Sequence, residues 1–272
     1  MFQWLQTFMA VFEAQNFTKA AENLFISQPT VSLHIQKLEE LTGSELFIRN
    51  GRNHAVPTES AELLYLRAKQ LDSLWENSLS EIKQLQGNTR ISYHIGASQT
   101  IGVYMLPQVL PQLQEAFPNY DFVIHIANST VIFKKVDMHE YNVGLVESPM
   151  IAPTIERAIF AYDSLVLAGN QNSDLWLLRE SGSGIRAYTD QFFQQENIIP
   201  KQKIEIASNE AILNMLQQGI GKTLLSDLSI RDLTSTAPPE AITRALFQIH
   251  HAEFPQDDFQ MALYKLLLET FQ

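Results

Sequence analysis

From Thr58 to about Gln86 the chain carries one unbroken helical pattern, opened by a threonine cap with Glu59 and Glu62 close behind it and stopped at Gly87-Asn88. At 1.5 Å per residue such a helix is roughly 40 Å long. Along it Leu64, Leu71, Trp75, Ser78, Ile82 and Leu85 recur at mostly alternating spacings of 3 and 4, the pattern of a seam for a partner helix. A helix this long with few neighbours in its own chain has to bury that seam elsewhere. Either its own C-terminal part or a second copy can supply the cover. The second copy is the expectation here, with Leu64, Leu71, Trp75, Ile82 and Leu85 as dimerisation residues, because pairing also brings two N-terminal units to one place. The chain thus divides into residues 1–58, a linking helix over 59–88, and residues 89–272.

The first of these parts predicts three helices and a hairpin. Leu5, Phe8, Met9 and Phe12 stand at helical spacing. A second, short helix can be capped by Thr18, and its Ala20, Ala21 and Leu24 let another helix approach closely. Ser27 can cap a third, with Val31, Ile35, Leu38 and Leu41 as its buried stripe and Gly43 as its end. Thr30, Leu33, His34 and Lys37 face away from that stripe. Residues 46–56 then hold Asn50-Gly51 between two β-prone runs, a strong two-residue turn signal. Three helices and a hairpin make a winged helix-turn-helix. In such a unit the third helix presents its N-terminal end to the major groove, where free N–H groups favour phosphate and short side chains reach base edges, while Arg49 and Arg52 on the wing meet the flanking backbone or minor groove.

Over about sixty residues the order Phe17-Thr18-Lys19-Ala20-Ala21-Glu22-Asn23-Leu24, Ile26-Ser27-Gln28-Pro29-Thr30-Val31-Ser32, Leu38-Glu39-Glu40-Leu41, Leu46-Phe47-Ile48-Arg49 and Thr58 resembles the N-terminal signature of the LysR family of bacterial transcription regulators. The resemblance implies that Thr18, Gln28, Pro29, Thr30, Ser32, Leu33, His34 and the wing arginines occupy DNA-facing positions. Leu33 stands where many members carry Arg, which exchanges a guanine reader for a side chain suited to a thymine methyl. Ala61 stands where the family usually has Gly.

Charge bears on this directly. The net charge is −11, with 8 basic against 10 acidic residues in the first ninety positions and 11 against 20 in the rest. A single N-terminal unit that is not basic binds DNA weakly, so useful affinity has to come from several copies on one site. The absence of cysteine removes disulfides, thiolate metal sites and cysteine nucleophiles. No apolar run reaches membrane-span length and the N-terminus lacks the pattern of a signal peptide, so a cytoplasmic protein without membrane partners is expected.

Beyond Arg90 β-like and helical stretches alternate, which predicts a parallel α/β architecture. Strands are expected at 91–95, 121–126, 143–146, 164–168, 175–178, 203–206, 222–225 and 245–249. Helices are expected at 101–117, 185–195, 209–218 and 259–271. This pattern is similar to the LysR effector domain and, through it, to two-lobed periplasmic binding proteins. Matching pieces include Ile95-Gly96-Ala97-Ser98, Tyr141-Asn142-Val143-Gly144-Leu145 and Gln218-Gly219-Ile220-Gly221. The segment between Gly169 and Leu175 is shorter than usual for that family. One lobe is expected at about 89–160 with 246–272, the other at about 161–245. Ligands of such folds sit at the C-terminal ends of the strands, beside helix N-termini. The candidates are Ser98, Gln99, Thr100, Ser129, Thr130, Glu147, Ser148, Ser183 and Arg186, and a small polar, anionic effector is expected. The same hydroxyls can also serve only as helix and turn caps.

Signs of catalysis are weak. Gly182-Ser183-Gly184-Ile185-Arg186-Ala187 imitates a dinucleotide fingerprint with Ala in place of the last Gly, and Gly221-Lys222-Thr223 imitates a phosphate loop whose first glycine is replaced by Leu216. His250 and His251 are adjacent on an expected strand and point to opposite faces, so they cannot share one ion. No nucleophile elbow occurs. The expectation is therefore no enzyme, no cofactor and no metal. Expected instead is a regulator that binds promoter DNA as a dimer or a dimer of dimers, senses an effector between lobes, and has RNA polymerase as a further partner. The alternative is a solute-binding or enzymatic α/β domain whose N-terminal helices serve assembly only. DNA binding by the first ninety residues that weakens steeply with salt separates the two, because phosphate contacts release counterions; no binding by a dimeric form would favour the alternative.

Overall fold

The computed structural model describes residues 1–50, 54–85, 90–230, 235, 236, 238, 241–253 and 256–272. They form two compact units, Met1–Ile82 and Lys83–Gln272.

In the first unit α1 (Phe2–Ala14), α2 (Phe17–Asn23) and α3 (Gln28–Thr42) precede a two-stranded hairpin, β1 (Phe47–Asn50) with β2 (His54–Pro57), and the long α4 (Glu59–Leu85). Its core is built from Phe8, Val11, Ala20, Val31, Ile35 and Leu46, all essentially inaccessible to solvent. Capping explains the helix boundaries. Ser27 accepts from the backbone N–H of Thr30 and starts α3, and Gly43 ends it at φ 67°, a left-handed conformation that costs glycine little. The cap of α2 is Asn16 rather than the expected Thr18: its side chain accepts from the N–H groups of Thr18 and Lys19. Thr58 caps α4 by accepting from Ala61, and its hydroxyl also donates to the carbonyl of Glu45. Ala61 is fully buried. Leu41 departs from the expected stripe and is 62% exposed, because it lies one turn past the part of α3 that α1 and α2 cover. The turn expected at Asn50-Gly51 falls largely on residues 51–53, and the stop at Gly87-Asn88 on 86–89, which lie outside the described residues.

The second unit follows the order β3 (Ile91–Ala97), a single π-type turn (Ile101–Met105) running into α5 (Leu106–Ala116), β4 (Tyr120–Ile126), α6 (Ser129–Asp137), β5 (Val143–Val146), β6 (Ile155–Gly169), β7 (Leu175–Leu178), α7 (Gly184–Gln195), β8 (Gln202–Glu205), α8 (Asn209–Gln217), β9 (Lys222–Ser226), β10 (Ser235–Thr236), β11 (Ile242–His251) and α9 (Asp258–Phe271). Two differences from expectation matter. The helix expected over 101–117 changes register where Pro107 brings no N–H. Also, α6 forms where no helix was expected, with Asn128 as its cap and Ile132, Phe133 and Val136 as its buried face.

The sheet is mixed rather than parallel. Its order is β4-β3-β5-β11-β6-β9-β7-β8, with β10 also on β6. β3, β4 and β5 are parallel on one side and β7 is parallel to β8 and β9 on the other. Between them β6 and β11 run antiparallel to each other over nearly their whole length, with a register shift at Leu246/Phe247. Each lobe has its own core, one around Ile95, Ile101, Leu113, Phe259 and Leu263, the other around Leu177, Phe192, Ile212, Leu224 and Leu225. The lobe limits suggested by the sequence, at 160/161 and 245/246, fall inside these two shared strands. Among the described residues no helix is long and apolar enough to cross a membrane.

Gly43 has open space around its missing Cβ, so only backbone strain opposes a larger residue there. Gly43→Ala is expected to destabilise the first unit by about 1 kcal/mol, read as a lower unfolding midpoint by circular dichroism.

Candidate functional site

Two clusters concentrate the candidate residues. In the first unit, the N-terminal turn of α3 holds Gln28, Pro29, Thr30 and Ser32 under two local hydrogen bonds. Thr30 Oγ1 lies 2.7 Å from Ser27 Oγ, and Gln28 Nε2 donates to Ser32 Oγ at 3.0 Å. These side chains are thus preordered at the N-terminal end of the helix, the positive end of its dipole. Pro29 and Leu33 are exposed, and Lys37 places its ammonium 5.3 Å from the ring centre of Trp4. His34 turns inward, with Nδ1 2.8 Å from Thr7 Oγ1. It braces α3 against α1 more than it projects outward. Thr18 sits half-exposed in the first turn of α2. Arg49 lies on β1 with its side chain outside the described set, and Arg52 falls among residues 51–53, which are likewise not described.

Glu39 has a role that sequence reasoning missed. Its Oε1 accepts from the N–H of Leu46 at 2.8 Å and of Phe47 at 3.4 Å, tying α3 to the start of the wing. A glutamate eight residues before a strand carries no local signal for such a bond.

Along α4 the expected seam divides. Leu64 is half-buried against the core of the first unit, as is Tyr65, whose ring stacks on Phe12 at 4.1 Å. Leu71, Trp75 and Ile82 are each about half exposed, although the Trp75 ring also touches Phe2. Leu63 and Leu66, not expected in the seam, add further exposed apolar surface. The side chain of Leu85 is not described.

In the second unit the candidates gather at the C-terminal ends of the parallel strands. Ser98, Gln99 and Thr100 follow β3, Ser129 and Thr130 open α6 after β4, Glu147 and Ser148 follow β5, and Ser183 is the N-cap residue of α7 after β7. Ser98, Thr100, Ser129, Glu147, Ser148 and Ser183 are buried. Several contacts run from one lobe to the other. Gln99 donates to the carbonyl of Ala207 and accepts from the N–H of Asn209, which caps α8 from the opposite side. Thr130 N–H donates to the carbonyl of Gly182 at 3.2 Å, and Asn128 Nδ2 donates to Glu180 at 3.2 Å. Gly184 is required by packing: a Cβ there would lie 2.4 Å from Glu147 Cγ.

Arg186 does not join this group. It donates to Asp190, to Glu205 and to the carbonyl of Arg179, a strut within one lobe. Burial works against its charge, but the hydrogen bonds of Asp190 and Glu205 outweigh burial and raise its pKa.

The charged centre of this region is instead Arg244 on β11, which no local motif singles out. It is essentially inaccessible, and it donates to Asp163 at 2.8 Å, Glu147 at 3.2 Å and Thr100 at 3.1 Å. Ser226 donates to the other oxygen of Asp163. Nearby, Arg179 pairs with Glu180 through two bonds and also holds Asn209. Burial pushes the Glu180 carboxyl up, yet the Arg179 guanidinium prevails and keeps it below the ordinary carboxylate range. After these pairings three buried polar atoms in this region have no hydrogen-bond partner: Ser129 Oγ, Glu147 Oε2 and Asn209 Nδ2. Buried polar atoms are rarely left so, and these three lie beside the N-termini of α6, α7 and α8.

Residues 2–62 match the profile described as bacterial regulatory helix-turn-helix protein, lysR family, and residues 86–272 match that of the LysR substrate binding domain. The HTH-type transcriptional regulator CysL of Bacillus subtilis (strain 168) is 36% identical over 242 residues, which is 84% of this chain and 81% of CysL. Among solved structures, full-length CbnR complexed with its target DNA shares the fold with a TM-score of 0.71 at 18% identity, covering 99% of each chain. The regulatory domain of CcmR from Synechocystis PCC6803, solved in complex with 2-PG, covers 67% of this chain and 98% of its own with a TM-score of 0.58 at 18% identity.

Removing Arg244 leaves Asp163 and Glu147 buried without a counter-charge. Arg244→Leu is expected to destabilise the protein by about 3–5 kcal/mol, measured by urea unfolding. Adding Asp163→Asn and Glu147→Gln to that variant is expected to recover much of the loss.

Proposed function

The chain belongs to the LysR family of bacterial transcription regulators, and from that premise we propose how its two units read DNA and a small effector. It is a regulator and not an enzyme, as its matched relatives are regulators. Residues 1–58 act as the DNA-reading head. Gln28, Pro29, Thr30, Ser32 and Leu33 face the major groove, with Thr18 and Lys37 at its edge and Arg49 and Arg52 on the flanking backbone. The observation that carries this is the capped, preordered N-terminal turn of α3, at the positive end of the helix dipole. His34 serves as a brace rather than a base reader.

Residues 59–88 pair with the same segment of a second copy. The exposed Leu71, Trp75 and Ile82 support this, with Leu63 and Leu66 added to the surface and Leu64 assigned to the head's own core. Pairing, and a dimer of dimers beyond it, supplies the affinity that a head of near-neutral charge lacks. The protein works in the cytoplasm and meets RNA polymerase at the promoter.

Residues 89–272 hold the effector between the lobes, with Ser98, Gln99, Thr100, Ser129, Thr130, Glu147, Ser148 and Ser183 around it. The unpartnered Ser129, Glu147 and Asn209 atoms carry this part. The effector is a small polar anion. Its charge is met by helix N-termini rather than by Arg186, and it carries a hydrogen-bond donor for Glu147. Its arrival changes how subunits pack, which alters the spacing of the heads and hence DNA bending.

The test is a titration against the DNA flanking the protein's own gene at two salt concentrations, for the wild type and for a Ser32→Ala, Arg52→Ala double variant. Specific wild-type binding that drops about tenfold or more in the variant is expected, since each base or backbone contact is worth about 1–3 kcal/mol. Equal binding by both would remove α3 and the wing from the interface. A footprint and bend unchanged by every small anion that raises the unfolding temperature would overturn the effector mechanism.

A further inference from the structure

His139 follows the C-terminus of α6, and His251 is the last residue of β11. The two are far apart in sequence, yet their rings lie 4.0 Å apart between centroids. Glu253, two residues beyond the strand, reaches both: its Oε2 is 3.8 Å from His139 Nε2 and 3.9 Å from His251 Nδ1. One donor atom from each of the three residues lies within 4.8 Å of the other two. Both imidazole side chains are more than nine-tenths buried, while the glutamate is 64% exposed and leaves a path from solvent.

A further observation points to a ligand. His251 Nε2 is buried with no hydrogen-bond partner, while its Nδ1, the nitrogen that faces Glu253, accepts from the Glu253 backbone N–H at 3.1 Å and would have to give up that bond to take an ion. His139 adopts φ 57°, a left-handed conformation that glycine or asparagine would hold at lower cost.

We infer that His139, His251 and Glu253 form a site for one divalent transition-metal ion of the zinc class. Two imidazoles and one carboxylate with a fourth position open to water are a donor set that Zn²⁺ accepts in tetrahedral geometry, with bonds of about 2.0–2.2 Å. Donors around such an ion stand roughly 3.3–3.6 Å apart, so the Glu253 oxygen, 3.8 and 3.9 Å from the two rings, and the two ring nitrogens, within 4.8 Å of each other, all have to draw closer around it. Calcium and magnesium, which require mostly oxygen donors, do not suit the two imidazoles. His250 takes no part. It points to the other face of β11, toward Glu156. The ion would tie the far end of α6, whose first residue is Ser129 in the cleft, to the far end of β11, which carries Arg244.

The test uses the untagged full-length protein after chelation. Equilibrium dialysis with micromolar Zn²⁺, and visible absorption with Co²⁺ as a spectroscopic substitute, are compared for the wild type, Glu253→Gln, His251→Gln and His125→Gln. One ion per chain and a tetrahedral Co²⁺ spectrum are expected for the wild type and for His125→Gln. The latter alters a histidine that contacts His94 and Tyr141 instead. His251→Gln and Glu253→Gln are expected to weaken binding at least tenfold, about 1.4 kcal/mol. Glu253 is exposed, so its variant keeps the fold. No retained ion in the wild type, or undiminished binding in Glu253→Gln and His251→Gln, would overturn the assignment.

Discussion

The second unit is organised around one buried cation. Arg244 sits where β6 and β11 cross from one lobe to the other, and its guanidinium engages Asp163 on β6, Glu147 after β5 and Thr100 after β3. An unpaired charge at this depth would be strongly unfavourable, so each partner is fixed in place by the requirement that the others be present. Three segments that are distant in sequence are held together by one side chain. In the proposed effector site Glu147 has two duties, as a wall and as a counter-ion to Arg244. A ligand that hydrogen-bonded its other oxygen would act on the group that also holds Arg244.

The first unit solves a different problem. It must present polar side chains to a partner while its own charge gives little help. It does so by local order. Asn16, Ser27 and Thr58 each cap a helix, and Glu39 fastens the wing to α3. The entropy of arranging Gln28, Thr30 and Ser32 is thereby met during folding rather than at binding.

The balance between local and distant bonds explains what could be read from the sequence. Helix limits at Ser27, Gly43 and Thr58 were legible because caps act within three or four residues. The hairpin was legible from its two β-prone runs, but the two-residue turn read at Asn50-Gly51 was not met, since Asn50 pairs with His54 on the strand. Asn16 was missed in favour of Thr18, since either could serve as a cap and only packing chooses. The helix α6 was missed because Ser129, Thr130, Val131 and Ile132 are weak helix formers, although Asn128 and the spacing of Ile132, Phe133 and Val136 were present. Candidate positions at the strand ends were legible, since fold and position go together in α/β sheets. Their partners were not. Arg244 meets Asp163 across 81 positions and Glu147 across 97, and nothing local announces such pairs. Arg186 misled because a guanidinium after Ser183-Gly184 suggests an anion clamp, while Asp190 one turn later and Glu205 on β8 compete for it.

The lobes are joined by two long strands that pair with each other, not by loops. A loop hinge would bend freely about a few dihedral angles. A paired ribbon resists bending but yields to twist, because twist spreads over many residues without breaking its ladder of hydrogen bonds. Any relative motion of the lobes has to pass through this ribbon, whose pairing changes register at Leu246/Phe247. Arg244 lies two residues from that point. The joint between the lobes and the charge that holds their segments together thus share one short stretch of β11.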